Sequence, residues 1–218
     1  MRKPTMNKMN FTDKYIREYF KNFAFHYSEH ISTRVFDVEI DVDIFEYKDQ
    51  HGYREKAHVT FKTDNLTYEC DCCDEHNYEN NFYPITLNNQ RLICFRKTLY
   101  DFTLINADTL SVEFEYFPEN VFNGEESFII VDVKQLENLL IFEGCYWACP
   151  YECFAFDYDK KLFLNVSKLC GVFSLDKTEV KENKLTICGT DKSNLNKQVA
   201  LSVQDIISAM DKHGTLDF

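Results

Sequence analysis

Apolar and polar residues alternate strictly through Phe36-Asp37-Val38-Glu39-Ile40-Asp41-Val42-Asp43-Ile44. Side chains on a β-strand alternate between its two faces. The stretch therefore predicts one apolar face and one row of carboxylates, Asp37, Glu39, Asp41 and Asp43, spaced about 7 Å apart. Neighbours in such a row repel by about 0.6 kcal/mol in bulk water. Folding does not require the row, so it points to a surface suited to a positively charged partner.

The same pattern reading extends along the chain. Residues 12–26 predict a helix, with Thr12 as its cap and Tyr15, Ile16, Tyr19, Phe20 and Phe23 on one face. Residues 35–47 and 56–63 predict a hairpin that turns at His51-Gly52. That turn would set Asp41 across from Lys62, Asp43 across from Thr60 and Tyr47 across from Lys56. Part of the row would then be neutralised by cross-strand pairs, leaving Asp37 and Glu39 without partners on the hairpin. Leu110, Val112, Phe114 and Tyr116 alternate with Ser111, Glu113 and Glu115, a second strand with an acidic outer face. Residues 128–131 predict a short buried strand or the lead into a helix, and Asp132 is placed to cap a short helix carrying Leu136, Leu139 and Leu140. Residues 153–166 predict a hairpin turning near Asp159-Lys160, and 172–176 with 185–189 another turning near Glu182-Asn183. Ser202, Asp205 and Gly214 bracket a helix over 203–212.

This order predicts an α+β fold. Its sheet is mainly antiparallel and built from hairpins, with an N-terminal, a short middle and a C-terminal helix. The 218 residues are expected to form a single domain with a weak boundary near 142–150.

Charge changes the picture next. The net charge is -12, and it is uneven. Residues 36–80 carry thirteen acids and four bases, and residues 101–160 carry thirteen acids and two. Residues 1–24 are basic, with six Lys/Arg against two acids. Direct nucleic-acid binding is disfavoured, because phosphates want a basic surface. A protein partner with a basic surface is favoured, and simple solubility is the competing reading. The N-terminal sequence has no apolar signal region, and no stretch reaches the length of a membrane span. A cytoplasmic protein with reduced thiols is therefore expected.

Two cysteine groups carry candidate chemistry. Cys70, Cys72, Cys73 and His76 supply zinc's preferred ligand types, although C-x-C-C-x2-H is an irregular spacing. Cys145, Cys149 and Cys153 are spaced by four, but Pro150 interrupts any helix that would align them. The competing reading is buried cysteines acting as small hydrophobes. Zinc is the one cofactor the sequence suggests. His26-Tyr27-Ser28-Glu29-His30 matches the H-x-x-E-H string of inverzincin metallopeptidases over five residues, with no third ligand indicated. Phosphate-binding glycine loops, dinucleotide fingerprints and G-x-S-x-G are absent from the sequence. Trp147, with Tyr146 and Tyr151, reads either as core or domain junction or as a binding hot spot.

The expectation is a non-enzymatic acidic binding protein. It would inhibit or neutralise a protein partner whose basic surface handles nucleic acid, as an immunity or anti-defence inhibitor does. Asp37, Glu39, Asp41, Asp43, Glu113 and Glu115 would meet the partner. The alternative is a zinc-binding protein with Cys70, Cys72, Cys73 and His76 as ligands, either structural or a small metallohydrolase.

Overall fold

In the computed structural model, which describes residues 11–49, 52–73, 78–118, 121 and 127–216, the alternating stretch becomes the second strand of a four-stranded sheet. The chain divides into two compact units, Met1–Ile85 with Gln90–Asn123, and Thr86–Asn89 with Gly124–Phe218. The division near 123 lies well before 142–150, which falls within the second unit.

The first unit begins with helix α1 (Phe11–Phe20). Strands β1 (His26–Val35), β2 (Val38–Asp49), β3 (Gly52–Lys62) and β4 (Thr67–Cys72) follow in spatial order β1-β2-β3-β4, all antiparallel. A short 3-10 turn, Tyr78–Asn80, precedes a second sheet. Its strands are β5 (Phe82–Leu87), β6 (Gln90–Phe95), β7 (Phe102–Asn106) and β8 (Val112–Tyr116), in sequence order. Val38, Ile40, Val42 and Ile44 point inward and share one core with Ile93, Phe95 and Ile105 of the second sheet. Each such side chain contributes about 1.5–3 kcal/mol on burial. This is the apolar face that the alternation dictates.

The second unit holds β9 (Ile129–Leu136), β10 (Leu139–Cys145), β11 (Glu152–Asp157) and β12 (Leu162–Asn165) in one antiparallel sheet, ordered β12-β11-β10-β9. Helix α2 (Val166–Cys170) leads into a three-stranded sheet of β13 (Ser174–Lys181), β14 (Lys184–Thr190) and β15 (Asn196–Ser202). Helix α3 (Val203–His213) closes the unit with Ile206 and Met210 buried. Leu139, Ile141, Cys153 and Ala155 of one sheet pack with Leu175, Leu185 and Ile187 of the other. Ser202 and Asp205 form a reciprocal capping box at the start of α3, as their spacing predicts.

The α+β class and the antiparallel sheets agree with the sequence pattern, and several details differ. The middle helix expected from Asp132 is the hairpin β9–β10, turning at Glu137-Asn138 with Glu137 at φ 52°. The β-branched run Ile129, Ile130, Val131 and Val133 favours extended backbone. Asp132 accepts from the Val133 N–H and from Lys134 instead of capping a helix. Gly144 is fixed by close approach: a Cβ there would sit 1.9 Å from the Ile129 carbonyl oxygen, at a register shift between β9 and β10. Helix α1 ends at Phe20 rather than 26, because β1 begins at His26. The polar sequence HYSEHISTRV gives β1 no apolar alternation until Ile31, so it does not read as a strand.

The β2–β3 register also moves. Glu39, not Asp41, lies across from Lys62, and Asp41 lies across from Thr60. The shift is two residues, so every side chain keeps its face.

Candidate functional site

The solvent face of the β1–β4 sheet is built by the rows this register creates. One row runs Arg34, Glu39, Lys62, Thr67. The next runs Ser32, Asp41, Thr60, Glu69, and the third His30, Asp43, His58, Asp71. Opposite or hydrogen-bonding groups therefore meet across nearly every strand boundary. Lys62 Nζ donates to Asp41 Oδ2 at 2.7 Å, one step diagonal to the register. Ser32 Oγ donates to Asp41 Oδ1 at 2.6 Å. The Lys62 hydrogen bond, followed by that of Ser32, holds the Asp41 carboxyl below its ordinary range. His30 Nδ1 lies 2.8 Å from Asp43, and His58 Nδ1 lies 3.1 Å from Asp71. Lys56 reaches Asp71 at 2.8 Å. Burial opposes ionisation of Asp71, but the hydrogen bonds of Lys56 and His58 outweigh it and hold the carboxyl low.

Asp43, His30 and Ser32 stand in the order of a catalytic triad, with His30 Nε2 3.0 Å from Ser32 Oγ. Ser32 gives its proton to Asp41 rather than to the imidazole, and Asp41 is a weak base. The arrangement is a cross-strand hydrogen-bond ladder.

The six expected carboxylates do not share one surface. Glu39, Asp41 and Asp43 lie together on the sheet face, where Glu69 and Asp71 of β4 join them. Asp37 sits in the β1–β2 turn beside Phe36, which has φ 54°. Arg91 clasps that turn: Nη1 donates to Asp37 at 2.7 Å, Nη2 bonds Asp108, and the guanidinium lies 5.6 Å from the Phe36 ring centroid. Glu113 is exposed on β8, where it accepts from Ser111 at 3.0 Å.

Glu115 is removed from the surface. Its side chain is 2% exposed and accepts from Lys97 Nζ at 2.9 Å, with Lys97 itself 3% exposed. Lys97 also reaches Asp13 of α1 at 3.2 Å. Burial would lower the Lys97 pKa, but Glu115, Tyr68, Cys70 and Asp13 raise it well above its ordinary value. Nearby, Asp101 is fully buried and accepts the backbone N–H groups of Lys97 and Thr98. Burial pushes its carboxyl up to about 7, against those hydrogen bonds.

Of the expected zinc ligands, the described Cys70, Cys72 and Cys73 do not form a metal-holding group. Among the described residues no group of three or more His, Cys, Asp or Glu side chains is placed to hold a metal ion. Cys70 and Cys72 point into the core, Cys73 is half-buried, and His76 lies outside the described residues. Burial, then the neighbouring Cys70, raises the Cys72 thiol well above its ordinary value. That disfavours the thiolate a metal would need. Cys153 is buried in β11, and burial likewise raises its thiol. His26 through His30 lie on β1, a strand with a register shift between Tyr27 and Glu29. The H-x-x-E-H chemistry needs its two histidines one helical turn apart on a helix.

Sequence reasoning overlooked Glu69 and Asp71 as members of the face. The alternation Tyr68-Glu69-Cys70-Asp71-Cys72 was a strand signal that the cysteine spacing obscured. No helix among the described residues is long and apolar enough to cross a membrane. No protein-family model matches the chain, and no curated protein matches it.

Proposed function

We propose that the chain is a non-enzymatic binding protein whose β1–β4 sheet face covers the basic surface of a protein partner. It would act there as an inhibitor of the immunity or anti-defence type, on a partner that uses this surface for nucleic acid. One observation carries the reading. Glu39, Asp41 and Asp43 of β2 and Glu69 and Asp71 of β4 come onto one face, against Arg34 of β1 and Lys56 and Lys62 of β3. The pairing makes the face a patterned array with a net acidic excess. Such a pattern fixes register and steers association more than it adds raw affinity. Glu113 is a separate exposed carboxylate on the other sheet.

The test is a pull-down from host lysate with the intact protein at low and high salt, with proteins and nucleic acids identified. A stoichiometric protein that is released as salt rises supports the reading. Its retention by a Glu39→Lys, Glu69→Lys variant would overturn the assigned face. No protein partner at either salt would overturn the function.

A further inference from the structure

The second unit carries a trough that the sheet-face reading does not use. Two cavities, of about 680 and 730 Å³, share Tyr146, Asn165 and Lys168 and so form two lobes around α2. Sites for small organic ligands span roughly 300–1,000 Å³ and combine apolar walls with a few placed polar groups. One lobe adds Glu152, Phe173, Asp191 and Lys192 to the shared residues. The other adds Phe154, Leu164, Leu169 and His213. The local fold fixes this layout. Asn165 caps α2 by accepting from the Lys168 N–H, and Gly171 ends the helix in the left-handed region at φ 64°. Lys197 Nζ holds the Cys170 carbonyl at 2.8 Å. Tyr146 is braced edge-on by Phe128, 5.6 Å away between ring centroids.

The lining separates into three kinds of group. Phe173 and Leu169 are large apolar side chains left half in water, and Trp147, 54% exposed, sits beside Tyr146 in the same turn. Lys168 and Lys192 have no ion-pair partner among the described residues, so their charges are available to a ligand. The carboxylates are already bonded to their own frame. Glu152 accepts from Asn165, and Asp191 Oδ1 accepts from Ser193 N at 2.7 Å and Leu195 N at 3.1 Å. Their remaining lone pairs are acceptors for ligand hydroxyl or amino groups.

A ligand that meets all three groups has a flat ring face, hydrogen-bond donors and a compact anionic end. We propose that this trough binds a mononucleotide. Its base would lie against Tyr146 and Phe173, its ribose hydroxyls near Glu152 or Asp191, and its phosphate on Lys168 and Lys192. Aromatic faces accept bases of any sequence, and Lys binds phosphate as a point charge. The net charge of -12 argues against a polynucleotide strand in the same place.

The experiment titrates the full-length protein with AMP, GMP, CMP and UMP. It follows emission of Trp147, the one tryptophan in the chain, with equilibrium dialysis in parallel. The expected result is saturable binding of at least one nucleotide with a Kd of about 1 mM or tighter. The matching nucleoside and inorganic phosphate should each bind at least about tenfold more weakly. Lys168→Gln and Phe173→Ala should each weaken binding by about tenfold, and Lys168→Arg should restore most of it. Both positions are exposed, and thermal melting checks that the variants stay folded. Lys62→Gln, on the sheet face of the first unit, should change nothing. Three outcomes overturn the proposal: no nucleotide saturates, phosphate alone binds as tightly as the nucleotide, or the Lys168 and Phe173 variants bind normally.

Discussion

Two stretches of the first unit, Val38-Glu39-Ile40-Asp41-Val42-Asp43 and Val112-Glu113-Phe114-Glu115-Tyr116, share one sequence pattern and meet opposite fates. On β2 the alternating carboxylates stay on a solvent face and meet lysines and histidines across the strands. On β8 the last carboxylate turns into a closed site under α1, where Lys97 and Asp13 surround it. Alternation assigns a side chain to a face, and the packing of other elements decides whether that face is wet. An exposed pair is screened and contributes little. A buried pair brings desolvation into play, so breaking one side leaves an uncompensated charge.

The largest expected effect lies in the buried pair. Lys97→Ala should destabilise the protein by about 3–5 kcal/mol, because Glu115 is left buried without its cation. Chemical denaturation measures it. The double variant Lys97→Met, Glu115→Leu should recover most of the loss, since apolar replacements of similar size remove both desolvation costs. If Lys97→Ala costs no more than a surface change, the two acidic regions are energetically alike and the contrast fails.

Asp101 gives the next effect, through pH. Its folded pKa, about 7, lies above the ordinary 3.8. The folded state therefore binds the proton more tightly than the unfolded one, and stability falls as pH rises. The contribution is full below about 3.8 and gone above about 7. An effect of order 1–4 kcal/mol follows from a shift of this size at a fully buried group. Asp101→Asn should flatten that part of the pH–stability curve. A variant curve parallel to wild type between those pH values would show that Asp101 does not titrate there.

The third test turns to the exposed carboxylates. Glu39→Lys, Glu69→Lys and Glu113→Lys together should leave the unfolding free energy within about 0.5 kcal/mol per site. The same variant should lose the salt-sensitive partner. A large loss of stability would place these residues with Glu115 rather than with the open face.

These outcomes also mark what the sequence could reveal. The apolar side of β2 was legible because Val38, Ile40, Val42 and Ile44 follow a period of two, and the core accepts them as read. The box at Ser202 and Asp205 was legible because capping is local. The burial of Glu115 was not, because it depends on Lys97, 18 residues away in sequence, and on Asp13 of α1, itself 84 residues from Lys97. The hairpin at 129–145 is not legible, because Asp132 and three leucines imitate a capped helix over a few residues. Strand β1 escaped notice because an exposed edge strand needs no apolar alternation.

The smallest effect belongs to the Asp41–Lys62 pair, and it separates the regions by sign as well as size. The Lys62 hydrogen bond holds the Asp41 carboxyl below 3.8, so its folded state binds the proton less tightly than the unfolded one. Its contribution is present above that value and disappears as pH falls through the lowered pKa. This is the reverse of Asp101, whose contribution disappears as pH rises. Asp41→Asn should therefore differ slightly from wild type at neutral pH and converge with it in acid. The difference should also shrink in about 1 M salt, where screening acts over roughly 3 Å. Lys97→Ala should keep its full deficit at that salt, because water and ions do not reach a buried pair. If the Asp41→Asn difference survives both acid and salt, the sheet face is not open to solvent, and a partner could not read its charges.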